Sequence, residues 1–280
     1  MDRLLIIDGS NLLFQMFYGM PARIVNREGK AIQGTLGFVG AAIKMIGMTQ
    51  PTHLVVLFDG EHPNSRTELL AEYKANRPDY SQAAESENPF SQLADVRRAL
   101  TFMGIRHTEV QEFETDDVAA SYAYACGAQM SVVISSFDSD FFQLISENVN
   151  VLRYRGKKSV LCDVAYLKEK LGVAPCRYAD FKSLTGDSSD NIKGADKIGP
   201  KTAAQLLCEF DNLENLIANA EKIPKPSVRA SIIQNVGLLR RNYQLIKLDT
   251  RAALPFSLKE LEYRHSGLTT NEVLAGIGLK

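Results

Sequence analysis

The chain has 280 residues, 45% of them hydrophobic and 23% charged, with a formal net charge of −1. That length supports a large core plus a smaller second unit, and that composition excludes a disordered or fibrous chain. No apolar run approaches the roughly 18 residues of a membrane span, and the start LLIID lacks the basic region and cleavage site of a signal peptide. The four cysteines and four histidines lie far apart, which excludes a zinc site or disulfide framework and fits a reducing cytoplasm.

Residues 4–8, LLIID, read as a short, fully buried strand of the continuous kind found in parallel sheets. The strand ends in Asp8, and Gly9-Ser10-Asn11 turns the chain toward a helix. A second apolar-periodic helix is predicted near 34–48. HLVVLFDG, residues 53–60, then repeats the first arrangement: a buried strand ending in Asp59, with Gly60 behind it. Either Asp alone is an ordinary turn residue; the repetition points to a site.

Residues 61–95 form a polar excursion whose tract SQAAESENP has no packing face, and long excursions of this kind are more often functional than structural. A helix near 91–103 and a strand near 105–110 lead to Phe113–Ile145, around which the sequence is organised. Here Glu114, Asp116 and Asp117 precede a helix of about ten residues. The buried run SVVIS follows and ends at Asp138 and Asp140, after which FFQLI is predicted to begin another helix. In an open α/β sheet this order gathers five carboxylates at the carboxyl ends of strands, where ligands bind. Acids in a helix's first turn also suit the macrodipole, but such crowding calls for hard divalent cations, which prefer oxygen ligands.

VNVLRYR and SVLCD, residues 149–155 and 159–163, read as edge strands or a hairpin, and from about 164 the pattern becomes helical. Asp187 and Asp190 sit three apart in TGDSSDN. In GADKIGPKTA, Pro200 suits a first helical position, and Lys201 and Thr202 lie in the first turn. Backbone N–H groups at such a helix start bind phosphate, although a plain helix–turn–helix connection suits the same Gly-Pro pair. Nine acids are thus candidates for one cluster. Setting them aside leaves 24 acidic residues against 32 basic ones, an excess of eight positive charges that suits a nucleic-acid partner.

IIDGSN, LFDG, FETDDVAA, SSFDSDFFQL and TGDSSDNIKGADKIGPKTA occur in the order seen in structure-specific 5′ nucleases. The chain resembles the flap endonuclease and 5′→3′ exonuclease family over nearly its whole length, from Asp8 to about Gly278. It is similar to the N-terminal nuclease domain of bacterial DNA polymerase I, and no polymerase part follows, so a free-standing, monomeric form is expected. The resemblance implies an α/β core with a mainly parallel central sheet flanked by helices, of the PIN-like or resolvase-like kind, over residues 1–170. This core includes a helical arch at about 61–95. A helical DNA-binding domain at 171–262 contains a helix–hairpin–helix at about 186–208, and a tail, 263–280, packs back on the core.

For the site, the resemblance implies a first metal held by Asp8, Asp59, Glu114 and Asp116 with Asp117 in support, and a second served by Asp138, Asp140, Asp187 and Asp190. Two Mg²⁺ ions are expected, with Mn²⁺ as a substitute, and a K⁺ ion at the helix–hairpin–helix bound by loop carbonyls and Ser189. EYKANRP, residues 72–78, resembles the arch segment that takes a single-stranded 5′ end. Lys74 and Arg77 are then the catalytic cations, and Arg66, Tyr73, Lys197, Gly199, Lys201 and Thr202 join them in contacting DNA. The substrate is DNA with a 5′ flap, branch or free 5′ end, in replication or repair. A phosphatase with an aspartate nucleophile needs a second acid where Ser10 stands. An RNase of the same sheet architecture would lack the GADKIGPKTA unit, and a non-catalytic scaffold would not need the complete acid set.

Overall fold

The computed structural model describes every residue except Pro21, residues 61–64 and Ser81, and leaves out the side chain of Ser65. Six strands form the central sheet: β1 (Asp2–Asp8), β2 (His53–Asp59), β3 (Arg106–Val110), β4 (Met130–Ser135), β5 (Val149–Arg153) and β6 (Val160–Cys162), in the order β3-β2-β1-β4-β5-β6. All neighbours are parallel except β5 and β6, which pair antiparallel as a hairpin. Every residue from Leu4 to Ile7 is buried because both faces are covered, and this is why the strand reads as a continuous apolar run.

The helices are α1 (Gly9–Gly19), α2 (Gln33–Thr49), α3 (Ser65–Leu69), α4 (Leu93–Phe102), α5 (Thr115–Cys126), α6 (Val164–Leu171), α7 (Tyr178–Thr185), α8 (Pro200–Phe210), α9 (Leu213–Ala218), α10 (Pro226–Gln234), α11 (Val236–Ile246) and α12 (Thr270–Gly276). Alternation along each strand divides the core in two. Leu5, Ile7, Val56 and Phe58 pack with buried residues of α1, α2, α4 and α12. Leu4, Ile6, Val55 and Leu57 point the other way into a larger cluster, which runs through α5 into the helical part at Leu184, Ala203 and Leu239. The helical part is thereby continuous with the sheet's own core.

Three local readings change. The helix expected after Asp140 is a single 3₁₀ segment, Asp140–Leu144, which ends where Ile145 turns extended. Helix α4 begins later than the periodicity suggests, because Pro89–Gln92 forms a separate 3₁₀ turn capped by Asn88. Most of the arch is not helical: beyond the five-residue α3 the chain continues in turns over 71–76. The arch residues 61–64 and Ser81 lie outside the described residues.

At the carboxyl terminus, Tyr263 N–H donates to the Thr52 carbonyl, and Glu262 bridges His53 beside the start of β2. Val273 of α12 enters the core with α2 and α4. Gly276 lies so close to Phe102 that an added Cβ would come within 2.3 Å of its ring, which leaves no room for a side chain at that position.

Candidate metal centre and nucleic-acid interface

Short polar side chains fix the acids at the strand ends. The register sets Asp8 beside Leu57, so Asp59 lies two residues further along the same rim. Asp8 caps α1 by accepting from Asn11 N–H at 3.0 Å, and its other oxygen accepts from the Ser136 hydroxyl at 2.8 Å. Ser136 in turn accepts from Asp138 N–H, and Asp138 accepts from Asp140 N–H at 2.8 Å. Asn11 accepts from Phe137 N–H, and Ser10 accepts from Asp59 N–H at 2.9 Å. The ends of β1, β2 and β4 are thereby tied into one polar rim.

Asp8, Asp59, Asp116 and Asp138 line a cavity of about 390 Å³ together with Lys74 and Arg77. Among the described residues none of these four acids has an ion pair. Burial pushes the Asp8 carboxyl up to about 7, with the charge of Asp59 adding to the effect. Burial and Asp138 push Asp116 well above the usual carboxylate range. Crowded acids that resist ionisation are what a cation site looks like when cations are left out of the balance.

Asp140, Asp187 and Asp190 each offer an oxygen, and these three lie within 4.8 Å of one another. All are hard donors of the kind that hold Mg²⁺ or Ca²⁺. The buried Asp140 Oδ1 atom meets the Lys182 ammonium at 3.0 Å. Lys182 also contacts Asp187 and Ser139. Burial lifts Asp140 to about 7 even so, with Lys182 holding it down. Burial also raises Asp187, but Lys182 and Ser189 outweigh it and keep that carboxyl below its ordinary value. The residues present therefore fit a divalent cation, which would share these oxygens with a resident lysine.

The arch folds over this rim. Lys74 N–H donates to the Asp190 carbonyl, Asn76 donates to the Ser188 carbonyl and Asn191 to the Glu72 carbonyl. Lys74 itself takes a positive φ of 57°, a conformation costly for a side chain that is held only where surroundings enforce it. Its ammonium lies 2.9 Å from Glu114, and Arg77 lies 3.2 Å from Asp190 with half its side chain exposed. Both predicted catalytic cations thus stand at the acids.

Arg66 and Tyr73, expected to meet DNA, turn inward instead. The Arg66 guanidinium is buried, grips both oxygens of Asp117 at 2.8 and 2.9 Å and reaches Glu114. Asp117 also accepts from Asp249 N–H, so it ties the arch base to the chain after α11 rather than facing the cavity. Tyr73 is buried among Ala179, Ile192 and Leu245, with its hydroxyl near Glu114 and Asp190. An aromatic in a polar tract reads as an exposed platform, but this ring finds a core of its own.

In the helix–hairpin–helix, Gly186 and Gly194 cross so closely that an added Cβ at Gly194 would lie 2.3 Å from the Thr185 backbone. Gly199, at the start of α8, has open space around it and no side-chain cap. Lys197 and Lys201 are exposed, Thr202 is half-buried and Ser189 donates its hydroxyl proton to Asp187. Two features went unread in the sequence. Lys182 sits in an ordinary helical pattern and only the fold brings it to the acids. Phe14, Tyr80 and Phe90, with rings 5.3 to 5.9 Å apart, form an aromatic wall on the acid cavity.

A parallel sheet collecting acids at its carboxyl rim, backed by a helical unit with a glycine-marked hairpin, is a nuclease architecture. The resolvase-like N-terminal domain of 5′-3′ exonucleases matches residues 3–172, and their C-terminal SAM fold matches residues 173–267. The chain belongs to the 5′-3′ exonuclease family. It is 35% identical over 271 residues to DNA polymerase I of Rhizobium leguminosarum, covering 93% of this chain and 26% of that protein. With the thermostable DNA polymerase I of Thermus aquaticus it shares 34% over 249 residues, 89% of this chain and 29% of that one. The chain thus spans between a quarter and a third of the length of these relatives. The zinc-bound 5′-exonuclease of bacteriophage T5 superimposes with a TM-score of 0.74 at 25% identity, covering 89% of this chain and 90% of that one. The T5 flap endonuclease crystallised with DNA and metal ions gives 0.71 at 25%, covering 87% and 88%. The catalytic core of Rad2 with DNA substrate shares the fold, with a TM-score of 0.59 at 16% identity over 99% of this chain and 93% of that one.

Proposed function

We propose that this chain hydrolyses phosphodiester bonds of DNA bearing a 5′ flap, branch or free 5′ end, in replication or repair, using two divalent cations. The observation that carries the reading is the acid rim itself: Asp8, Asp59, Asp116 and Asp138 share one cavity without an ion pair among the described residues. The fold keeps them there through Ser10, Asn11 and Ser136. Asp8, Asp59, Glu114 and Asp116 would hold one ion, and Asp138, Asp140, Asp187 and Asp190 the other. Asp117 would support them through Arg66. When bound, such a pair supplies the Lewis acidity and the activated water of in-line phosphodiester hydrolysis.

The chain's own residues do the rest. Lys74 and Arg77, which pair with Glu114 and Asp190 at the rim, would stabilise charge on the attacked phosphate. Lys197, Lys201, Thr202 and the open backbone at Gly199 suit a duplex phosphate at a helix start. A K⁺ ion there would take loop carbonyls and the lone pairs of Ser189, whose proton is already given to Asp187. Arg66 and Tyr73 act by holding the arch base.

Incubation of the protein with an end-labelled 5′-flap duplex in Mg²⁺, and in parallel with EDTA, tests this reading. Metal-dependent release of flap products near the junction is expected. Retained binding with no product in Mg²⁺ or Mn²⁺ would make the protein a scaffold of the same fold, and preference for an RNA strand would point to an RNase.

A further inference from the structure

The acids Asp140, Asp187 and Asp190 come from two segments far apart in the chain. Asp140 opens the 3₁₀ segment Asp140–Leu144, which follows β4. Asp187 and Asp190 belong to a small hairpin in the helical part, where β7 (Gly186–Asp187) and β8 (Ile192–Lys193) pair antiparallel. Their three carboxylates nevertheless meet within 4.8 Å. Like charges that close push apart, so the backbones that carry them must be held in register. Lys182 draws Asp140 and Asp187 together, but one ammonium on a flexible stem does not fix two backbones.

Both segments are pinned to α11. Asn242, fully buried in that helix, donates one amide hydrogen to the Ser183 carbonyl at 3.1 Å and the other to the Lys193 carbonyl at 2.8 Å. Ser183 lies in α7 just before the hairpin and Lys193 in its returning strand. One amide therefore spans the base of the loop that carries Asp187 and Asp190. Across the same base, Ala195 N–H donates to the Leu184 carbonyl at 3.0 Å. Gln143, three residues beyond Asp140, grips the end of the same helix. Its Nε2 donates to the Ile246 carbonyl at 2.9 Å, and its Oε1 accepts from Leu248 N–H at 3.3 Å. Asn242 and Ile246 are one turn apart, and a helical turn is a stiff spacer of about 5.4 Å. Leu245 and Ile246 are buried with Ala179 and Ile192, so α11 cannot slide without losing core contacts.

We propose that Asn242 and Gln143 are positioning residues for the second cation, fixing the segment of Asp140 and the hairpin of Asp187 and Asp190 to a common helix. The proposal rests on the two-cation reading above. Each amide acts through the backbone that carries the acids, not on the acids themselves. Three carboxylates held at ligand spacing beforehand reduce the ordering that cation binding must supply, and partners behind metal ligands work in this way.

Mn²⁺ titrated into the full chain without DNA, with the free ion followed by its electron paramagnetic resonance signal, tests the proposal. Gln143→Met keeps the length of a half-buried side chain and removes both of its hydrogen bonds. Asn242→Ser is too short to span the two carbonyls. Tyr122→Phe is the control, because it removes the two bonds between the buried Tyr122 hydroxyl and the Phe256 backbone. Phe256 lies beside Leu54 and Arg106, at the end of the sheet opposite the acids. In both positioning variants one of two Mn²⁺ binding steps should weaken about tenfold while the other holds. Tyr122→Phe should melt earlier than the parent and leave both steps unchanged. On a 5′-flap duplex, the positioning variants should need about tenfold more Mg²⁺ for half-maximal cleavage and approach the parent rate at saturation. Unchanged Mn²⁺ binding in folded Gln143→Met, or equal losses in the control, would make these amides ordinary structural bonds. Equal weakening of both steps would also overturn the assignment, since the amides would then hold the whole rim. Should Asn242→Ser not fold, Gln143→Met carries the test alone. A parent that binds fewer than two Mn²⁺ ions removes the two-cation reading and this inference with it; a parent that binds two beside unaffected variants sinks the positioning role alone.

Discussion

The nine rim acids divide into two groups that the fold treats differently. Glu114, Asp117, Asp140, Asp187 and Asp190 each meet a cation from Arg66, Lys74, Arg77 or Lys182. Asp8, Asp59, Asp116 and Asp138 meet none among the described residues and share one cavity. The consequence is visible in Glu114 and Asp187, which burial raises but their cations hold below the usual value, while Asp8 and Asp116 are driven upward; Asp140 and Asp190 rise as well, because burial outweighs the cation each one meets. The paired group is relieved in part by its own cations. The unpaired group is strained unless a proton or an added cation relieves it, which marks it as the part of the rim most dependent on metal.

The most severe way to break this contrast is to remove one unpaired acid. Asp138→Asn keeps an oxygen to accept from Asp140 N–H but deletes one charge from the cavity. Cleavage in Mg²⁺ should fall about 10³-fold, since a carboxylate aimed at the metals is lost. Folding should hold, and the melting temperature without metal should stay level or rise as a repulsion disappears. A variant that melts early and loses binding and activity together would show that Asp138 is a structural acid.

The paired group is tested by taking its cation away. Lys182→Met preserves length but leaves Asp140 and Asp187 without a counter-charge, at a cost of about 3 kcal/mol or more to the metal-free protein. Added Mg²⁺ should then raise the melting temperature of the variant more than that of the parent, because no lysine competes for the same oxygens. Equal metal responses in the two proteins would place the cations elsewhere.

A smaller effect belongs to the arch. Lys74→Ala should slow single-turnover cleavage about 10²-fold, as for loss of one preorganised donor to the reacting phosphate. Arg66 remains on Glu114, so the fold should lose little. A normal rate at saturating enzyme would leave Lys74 as a structural partner of Glu114 only.

The two groups were not equally legible in the sequence. An Asp before Gly at the end of two buried runs, and Asp138 after a third, announce three of the four unpaired acids because strand ends of a parallel sheet must share a rim; Asp116, in the first turn of α5, is announced by the acid cluster there. Their partners could not be seen. Arg66 lies 51 residues from Asp117 and Lys182 lies 42 from Asp140, and nothing in a local pattern says that such residues meet. Arg66 in a polar tract reads as a surface cation, and Tyr73 as a free ring; both are recruited inward by contacts from α5, α7 and α11. The helix expected at Phe141 was a matter of local geometry, since the apolar run FFQLI fits one turn as well as three, and Ile145 ends it.

The gentlest way to sharpen the contrast is to titrate it. Burial, with Asp59 adding to it, raises Asp8 to about 7, and burial raises Asp140 to about 7 against the pull of Lys182. A carboxyl with a higher value in the fold than in the unfolded chain binds more protons when folded, so acid favours the fold between those two values. Glu114 and Asp187 act in the opposite sense, but their folded values lie below the ordinary one, so their contribution is lost only in stronger acid. Between about pH 8 and pH 5, the metal-free protein should therefore gain stability, with a melting temperature higher by roughly 5 °C at the acid end. Mg²⁺ should supply at pH 8 what protons supply at pH 5 and flatten the profile. Asp138→Asn should flatten it too, since Asp8 and Asp116 lose a neighbouring charge. A melting temperature that falls steadily across that range without metal would mean that Asp8 and Asp140 are not raised in the fold, and the rim would need no proton or cation to relieve it.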